Sequence, residues 1–116
     1  MNALFILNEA PYGSERTYNG LRLARSLLKT ARANVRIFLI GDGASAAHGG
    51  QTVPQGYYNI ADMLAMLSAH DAEIGVCGTC MDARGIKEAD LVKGARRGSM
   101  DLLTEWTLAA DKVLSF

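Results

Sequence analysis

The chain has 116 residues, 49% of them hydrophobic, and its twelve basic and twelve acidic side chains cancel to a formal net charge of zero. That balance offers no electrostatic footprint for nucleic acid or an anionic membrane surface, and no apolar run nears the roughly 18 residues that span a bilayer. What remains is a globular chain read as one domain over residues 1–116, with too little net charge to oppose self-association.

Leu4-Phe5-Ile6-Leu7 is wholly apolar and predicts a buried strand, broken by Asn8 to Ser14 with Pro11 and Gly13 as punctuation. No cationic leader precedes it, so a cytoplasmic location is expected. A helix follows over Glu15–Ala31, with Leu21, Ala24, Leu28 and Ala31 on one stripe and Ser14 as its N-cap. Val35–Ile40 predicts the second strand, halted by Gly41-Asp42-Gly43, with a short helix at Ala44–Ala47. His48–Gly56 reads as a polar, glycine-rich flap. The next helix spans Tyr58–Ala69, capped by Asn59, with Asp62 reaching back in a capping box. Glu73–Val76 is the third strand, followed by helical turns at Thr79–Ala83 and Lys87–Asp90. Leu91–Lys93 is assigned as a short fourth strand. Ser99 caps a last helix, Met100–Ala110, with Leu103, Trp106 and Ala110 inward, and Val113–Phe116 closes the chain as a strand. Strands alternating with helices imply an α/β fold: a flavodoxin-like or Rossmann-like three-layer domain with a mostly parallel sheet of about five strands.

The chemistry concentrates in Cys77-Gly78-Thr79-Cys80, which holds the only two cysteines of the chain. It sits just past the carboxyl end of a predicted strand, where parallel α/β folds carry their ligands. A thiol at such a strand-to-helix junction meets free backbone N–H groups that favour its thiolate, so Cys77 is the candidate nucleophile. Gly78 permits close backbone approach, Thr79 offers a hydroxyl and Arg84 a positive charge. Cys80, one helical turn on, is placed to resolve a mixed disulfide or persulfide on Cys77. The alternative is that both sulfurs are small buried hydrophobes. In the cytoplasm the pair is expected to be reduced at rest.

Other constellations are weaker. Zinc wants four ligands, and the chain offers one cysteine pair plus His48 and His70, so no metal is expected. Gly41-Asp42-Gly43 and Gly49-Gly50 match neither dinucleotide nor P-loop fingerprints, so no cofactor is expected either. Asp42, Tyr12 and Tyr58 are candidates to line a cleft beside Cys77. A thioredoxin-type role is disfavoured: no aromatic residue precedes Cys77, and no proline separates the cysteines.

These residues resemble the DsrE/DsrF-like family, in particular its YchN-type branch. The resemblance rests on Glu9-Ala10-Pro11-Tyr12-Gly13-Ser14-Glu15-Arg16 with Asn19–Ala24, on Gly41-Asp42-Gly43, on Pro54–Asn59, on Val76–Gly85 and on the segment Gly98–Phe116. It implies ring-shaped homo-oligomers, trimers or hexamers. It also implies a link to the sulfur-relay subunits of tRNA thiolation and sulfur oxidation, with sulfur donor and acceptor proteins as partners. In those subunits the cysteine eight residues before the Gly of an Arg-Gly pair carries a persulfide, and that position is Cys77 before Arg84-Gly85. Cys80 has no counterpart there, which leaves room for a Cys77–Cys80 disulfide. The expected function is a small sulfur-transfer protein that carries a persulfide on this strand-end thiolate. The rival expectations are a non-enzymatic oligomeric binding subunit and a thiol redox switch.

Overall fold

A computed structural model describes residues 1–116. Five strands form one sheet in the order β4-β3-β2-β1-β5, with every neighbouring pair parallel. They are β1 (Asn2–Leu7), β2 (Asn34–Leu39), β3 (Glu73–Cys77), β4 (Ala95–Gly98) and β5 (Lys112–Ser115). The helices are α1 (Arg16–Lys29), α2 (Ile60–Ala69), α3 (Gly78–Ala83) and α4 (Met100–Ala109), with 3-10 helices at Gly41–Ala47 and Glu88–Asp90.

Side-chain alternation along the central strands sorts the core into two layers. Phe5, Leu7, Ile37, Leu39, Ile74 and Val76 face α1 and α2, where Leu21, Ala24, Ile60, Leu64 and Leu67 meet them. Leu4, Phe38 and Cys77 face the opposite way, against Leu103 and Trp106 of α4. Phe38 and Trp106 meet edge to face at 6.2 Å, an arrangement worth about 1 kcal/mol beyond the area it buries. The fold is thus the three-layer α/β sandwich expected, with a sheet that is wholly parallel.

Several local expectations need correction. The fourth strand is Ala95–Gly98, not Leu91–Lys93; Leu91 instead forms an isolated antiparallel bridge with His48. Helix α1 stops at Lys29, because Ala31 takes a left-handed conformation (φ 57°) that ends the helix. Its N-cap is Glu15, which makes no side-chain capping bond, and Ser14 Oγ only accepts a long bond (3.4 Å) from the Arg16 N–H. Asn59 does cap α2, accepting from the Asp62 N–H at 3.0 Å, but α2 begins at Ile60 and no bond from the Asp62 carboxylate completes a box. Gly41-Asp42-Gly43 continues the chain into a 3-10 helix that runs to Ala47. Ser99 caps α4 as expected, through the Leu102 N–H at 3.2 Å.

The His48–Gly56 loop is tied down rather than loose. Gln51 donates to the Ala46 and His48 carbonyls at 3.1 and 2.9 Å, and its Oε1 accepts from the Tyr12 hydroxyl and the Ala61 N–H at 2.7 and 3.1 Å.

Candidate functional site

The order β4-β3-β2-β1-β5 puts the carboxyl end of β3 between two neighbours, and there Cys77 ends the strand and opens α3. Cys77 pairs in register with Gly98, and Val76 with Arg97. Cys77 and Cys80 are joined in a disulfide, their Cα atoms 5.2 Å apart, so the pair expected to be reduced is here oxidised.

Each sulfur has its own surroundings. Cys77 packs in one cluster with Leu4, Phe38, Leu103 and Trp106 and is 9% exposed. Its Sγ accepts from the Cys80 backbone N–H at 3.4 Å and is 3.4 Å from the Thr79 hydroxyl, which donates because a disulfide sulfur has no proton to give. Cys80 is half-buried, and its Sγ accepts from the Gly41 N–H at 3.2 Å.

Two arginines hold α3 from outside. Arg84 bonds Asp42 Oδ1 through Nε (3.2 Å) and Nη2 (2.6 Å), and its Nη1 donates to the Cys80 carbonyl at 3.1 Å. It therefore ties the cysteine turn to the Gly41–Ala47 helix, and Asp42 serves as its anchor. Arg97 makes a two-pronged pair with Asp82 at 2.8 and 2.9 Å. The hydrogen bond from Arg97 holds the Asp82 carboxyl below its ordinary range, and Asp82 in turn raises Arg97.

Of the residues singled out from sequence, the structure gathers Cys77, Gly78, Thr79, Cys80, Arg84 and Asp42 at one place. Tyr12 and Tyr58 lie elsewhere. They belong to an aromatic stack with Tyr18, rings 6.0 and 4.0 Å apart, which braces the start of α2 through the bond from the Ile60 N–H to the Tyr12 hydroxyl at 3.1 Å. His70 Nδ1 meets the Met66 carbonyl and His48 Nδ1 the Gly49 carbonyl, each at 2.8 Å. Sequence reasoning missed Arg97. Had the strand been placed at Ala95–Gly98, its two-residue period would have set Arg97 beside Val76, over the start of α3.

A strand-end cysteine pair on a five-strand parallel α/β sheet, held in place by flanking arginines, defines the chain as a small α/β protein with one cysteine-pair site. All 116 residues match the DsrE/DsrF-like family, and the chain belongs to it. Among its relatives is Protein YchN of Escherichia coli K12, 42% identical over 114 residues that cover 97% of each chain. The crystal structure of the E. coli ychN protein superposes with a TM-score of 0.94 at 41% identity, covering 100% of this chain and 99% of the other. A more distant relative is the TusC homolog of Vibrio parahaemolyticus, 31% identical over 97% of this chain and 96% of its own.

Proposed function

We propose that this protein carries sulfur as a persulfide on Cys77. The observation that carries the reading is the sulfur pair itself, at the open end of a buried strand, in a family whose relatives include a TusC homolog. In the working form a thiol reductant first opens the disulfide. The Cys77 thiolate then attacks the outer sulfur of a donor persulfide; a new S–S bond forms to Cys77, and the donor leaves as its thiolate. An acceptor thiolate attacks the outer sulfur of the Cys77 persulfide in turn, and Cys77 departs with the electron pair. The Cys80 N–H and the Thr79 hydroxyl are the groups that stabilise charge on Cys77 Sγ. Arg84, anchored by Asp42, keeps α3 in position, Gly78 leaves room for Arg97, and Tyr12 with Tyr58 shapes the adjoining loop.

The protein acts in this reading as a cytoplasmic homo-oligomer, a trimer or hexamer, that meets donor and acceptor proteins. Met100, Leu108 and Val113 on α4 and β5 are exposed apolar side chains that suit such contacts.

The test is intact mass after incubating reduced protein with a small-molecule persulfide donor. A gain of one sulfur that Cys77→Ser abolishes supports the carrier, and no gain on reactive thiols refutes it. The disulfide favours one second reading, a redox switch. Its sign would be a change of size in solution between the reduced and oxidised forms, and an unchanged size would eliminate it.

A further inference from the structure

The oxidised pair is itself an electrophile, and its two sulfurs are not equivalent. In exchange at a disulfide, the attacked sulfur must be reachable, and the departing sulfur must bear developing negative charge. Cys80 is half-buried, whereas Cys77 is 9% exposed and clusters with Leu4, Phe38, Leu103 and Trp106. Cys77 Sγ already faces two donors, the Cys80 N–H and the Thr79 hydroxyl; Cys80 Sγ faces one, the Gly41 N–H. Access thus favours attack at Cys80, and hydrogen bonding favours Cys77 as the leaving group.

Space sets the size of the attacker. The clefts of about 320 and 250 Å³ are lined by residues of α1, α2 and the segments flanking α2, and neither cysteine lines either one. Neither cleft therefore houses the body of a large thiol beside the sulfurs. A compact sulfur nucleophile needs neither.

Resting on the sulfur-transfer reading above, we propose that the disulfide form takes inorganic hydrosulfide as a substrate and loads it on Cys80. The hydrosulfide sulfur bonds to Cys80 Sγ, the Cys77–Cys80 bond breaks, and its electron pair leaves on Cys77 as a thiolate. The sulfide sulfur is oxidised to the sulfane level, the disulfide supplies the oxidising equivalents, and the sulfide proton passes from the new persulfide to water. The substrate-derived sulfur is then carried without a donor protein, and Cys77 is set free in its nucleophilic form.

The experiment uses the full oxidised chain and one equivalent of sodium sulfide without oxygen, quenched rapidly with excess alkylating agent. Backbone fragmentation between residues 77 and 80 locates the added sulfur. The expected result is the extra sulfur on Cys80 and a plain alkyl group on Cys77. Thr79→Val should slow loading about threefold to tenfold, as expected for loss of one hydrogen bond to the leaving sulfur, and Thr79→Ser should restore it. Extra sulfur on Cys77, an unchanged disulfide, or two alkylated cysteines without added sulfur would each overturn the proposal. If reduced protein still accepts sulfur from a persulfide donor on Cys77, the carrier reading survives that failure and only the hydrosulfide step falls. If reduced protein gains none while the oxidised form loads Cys80, the donor-persulfide reading falls instead.

Discussion

Arg97 lies across Gly78 so closely that a methyl group on Gly78 would meet its guanidinium at 2.7–2.9 Å. The arginine is at the same time paired with Asp82. Gly78→Ala must therefore displace Arg97 and loosen that pair. We expect the Asp82 carboxyl, now held below its ordinary value of 3.8 by Arg97, to titrate nearer the ordinary range in Gly78→Ala and in Arg97→Gln. Carboxyl chemical shifts followed against pH would show this, and an Asp82 titration equal to that of the parent protein would refute it.

The same pair makes a prediction about acid stability. A carboxyl whose folded pKa is depressed adds stability above its unfolded pKa and loses it as pH falls through the folded value. The advantage of the parent over Arg97→Gln should thus be present at neutral pH and fade below pH 3.8. Denaturant midpoints of both proteins across pH 2–7 test it. Asp82 and Arg97 are solvent-exposed, so the difference should be small and shrink with added salt.

Gly43 packs its backbone onto the Leu7 carbonyl, so any Cβ there would collide with main-chain atoms that have no rotamer to retreat into. Gly43→Ala should cost about 2–4 kcal/mol. Because Gly43 lies in the 3-10 helix whose first residue donates to Cys80 Sγ, the substitution should also make the disulfide easier to reduce. Urea denaturation and a thiol redox titration measure the two effects.

Ala31 and Gly43 call for opposite changes. Ala31 is exposed and left-handed at the end of α1, a conformation that strains a Cβ. Ala31→Gly should raise stability by about 1 kcal/mol. A lower denaturation midpoint would contradict this account of how α1 ends.

Gln51 spends its whole amide on four partners. Gln51→Ala strands the partly buried Ala61 N–H, at about 1–3 kcal/mol. Amide exchange at Ala61 and along residues 48–56 should accelerate, while exchange in β1 and β2 slows or quickens only with global stability. Unchanged exchange in the loop would mean that other contacts hold it.

Trp106 is the only tryptophan and shares a cluster with Cys77. A nearby disulfide quenches indole emission, so reduction should brighten Trp106 in the parent protein. Cys80→Ser, which cannot form the bond, should show no response to reductant.

The parts of this fold legible in the sequence are those where one signal dominates. Leu4–Leu7 is an unbroken apolar run, Val35–Leu39 is apolar except for Arg36, and both are largely buried. Asn59 and Ser99 cap helices through a short-range bond that depends on little else. β4 was opaque for the opposite reason. It is an edge strand of sequence Ala-Arg-Arg-Gly, half exposed, while the more apolar Leu91-Val92 nearby draws the assignment to itself. The cysteine turn is visible as spacing, and the structure sets Arg84, with Asp42 bonded to it, against that turn. That they bond each other, and that Tyr12 and Tyr58 turn instead toward Tyr18 and Gln51, depends on contacts between segments about 40 residues apart or brought together by folding, which no local pattern encodes.

The sheet separates two apolar layers, and Cys80 is the one residue packed against both of them. Whatever its sulfur is bonded to is therefore felt on each side of the molecule at once.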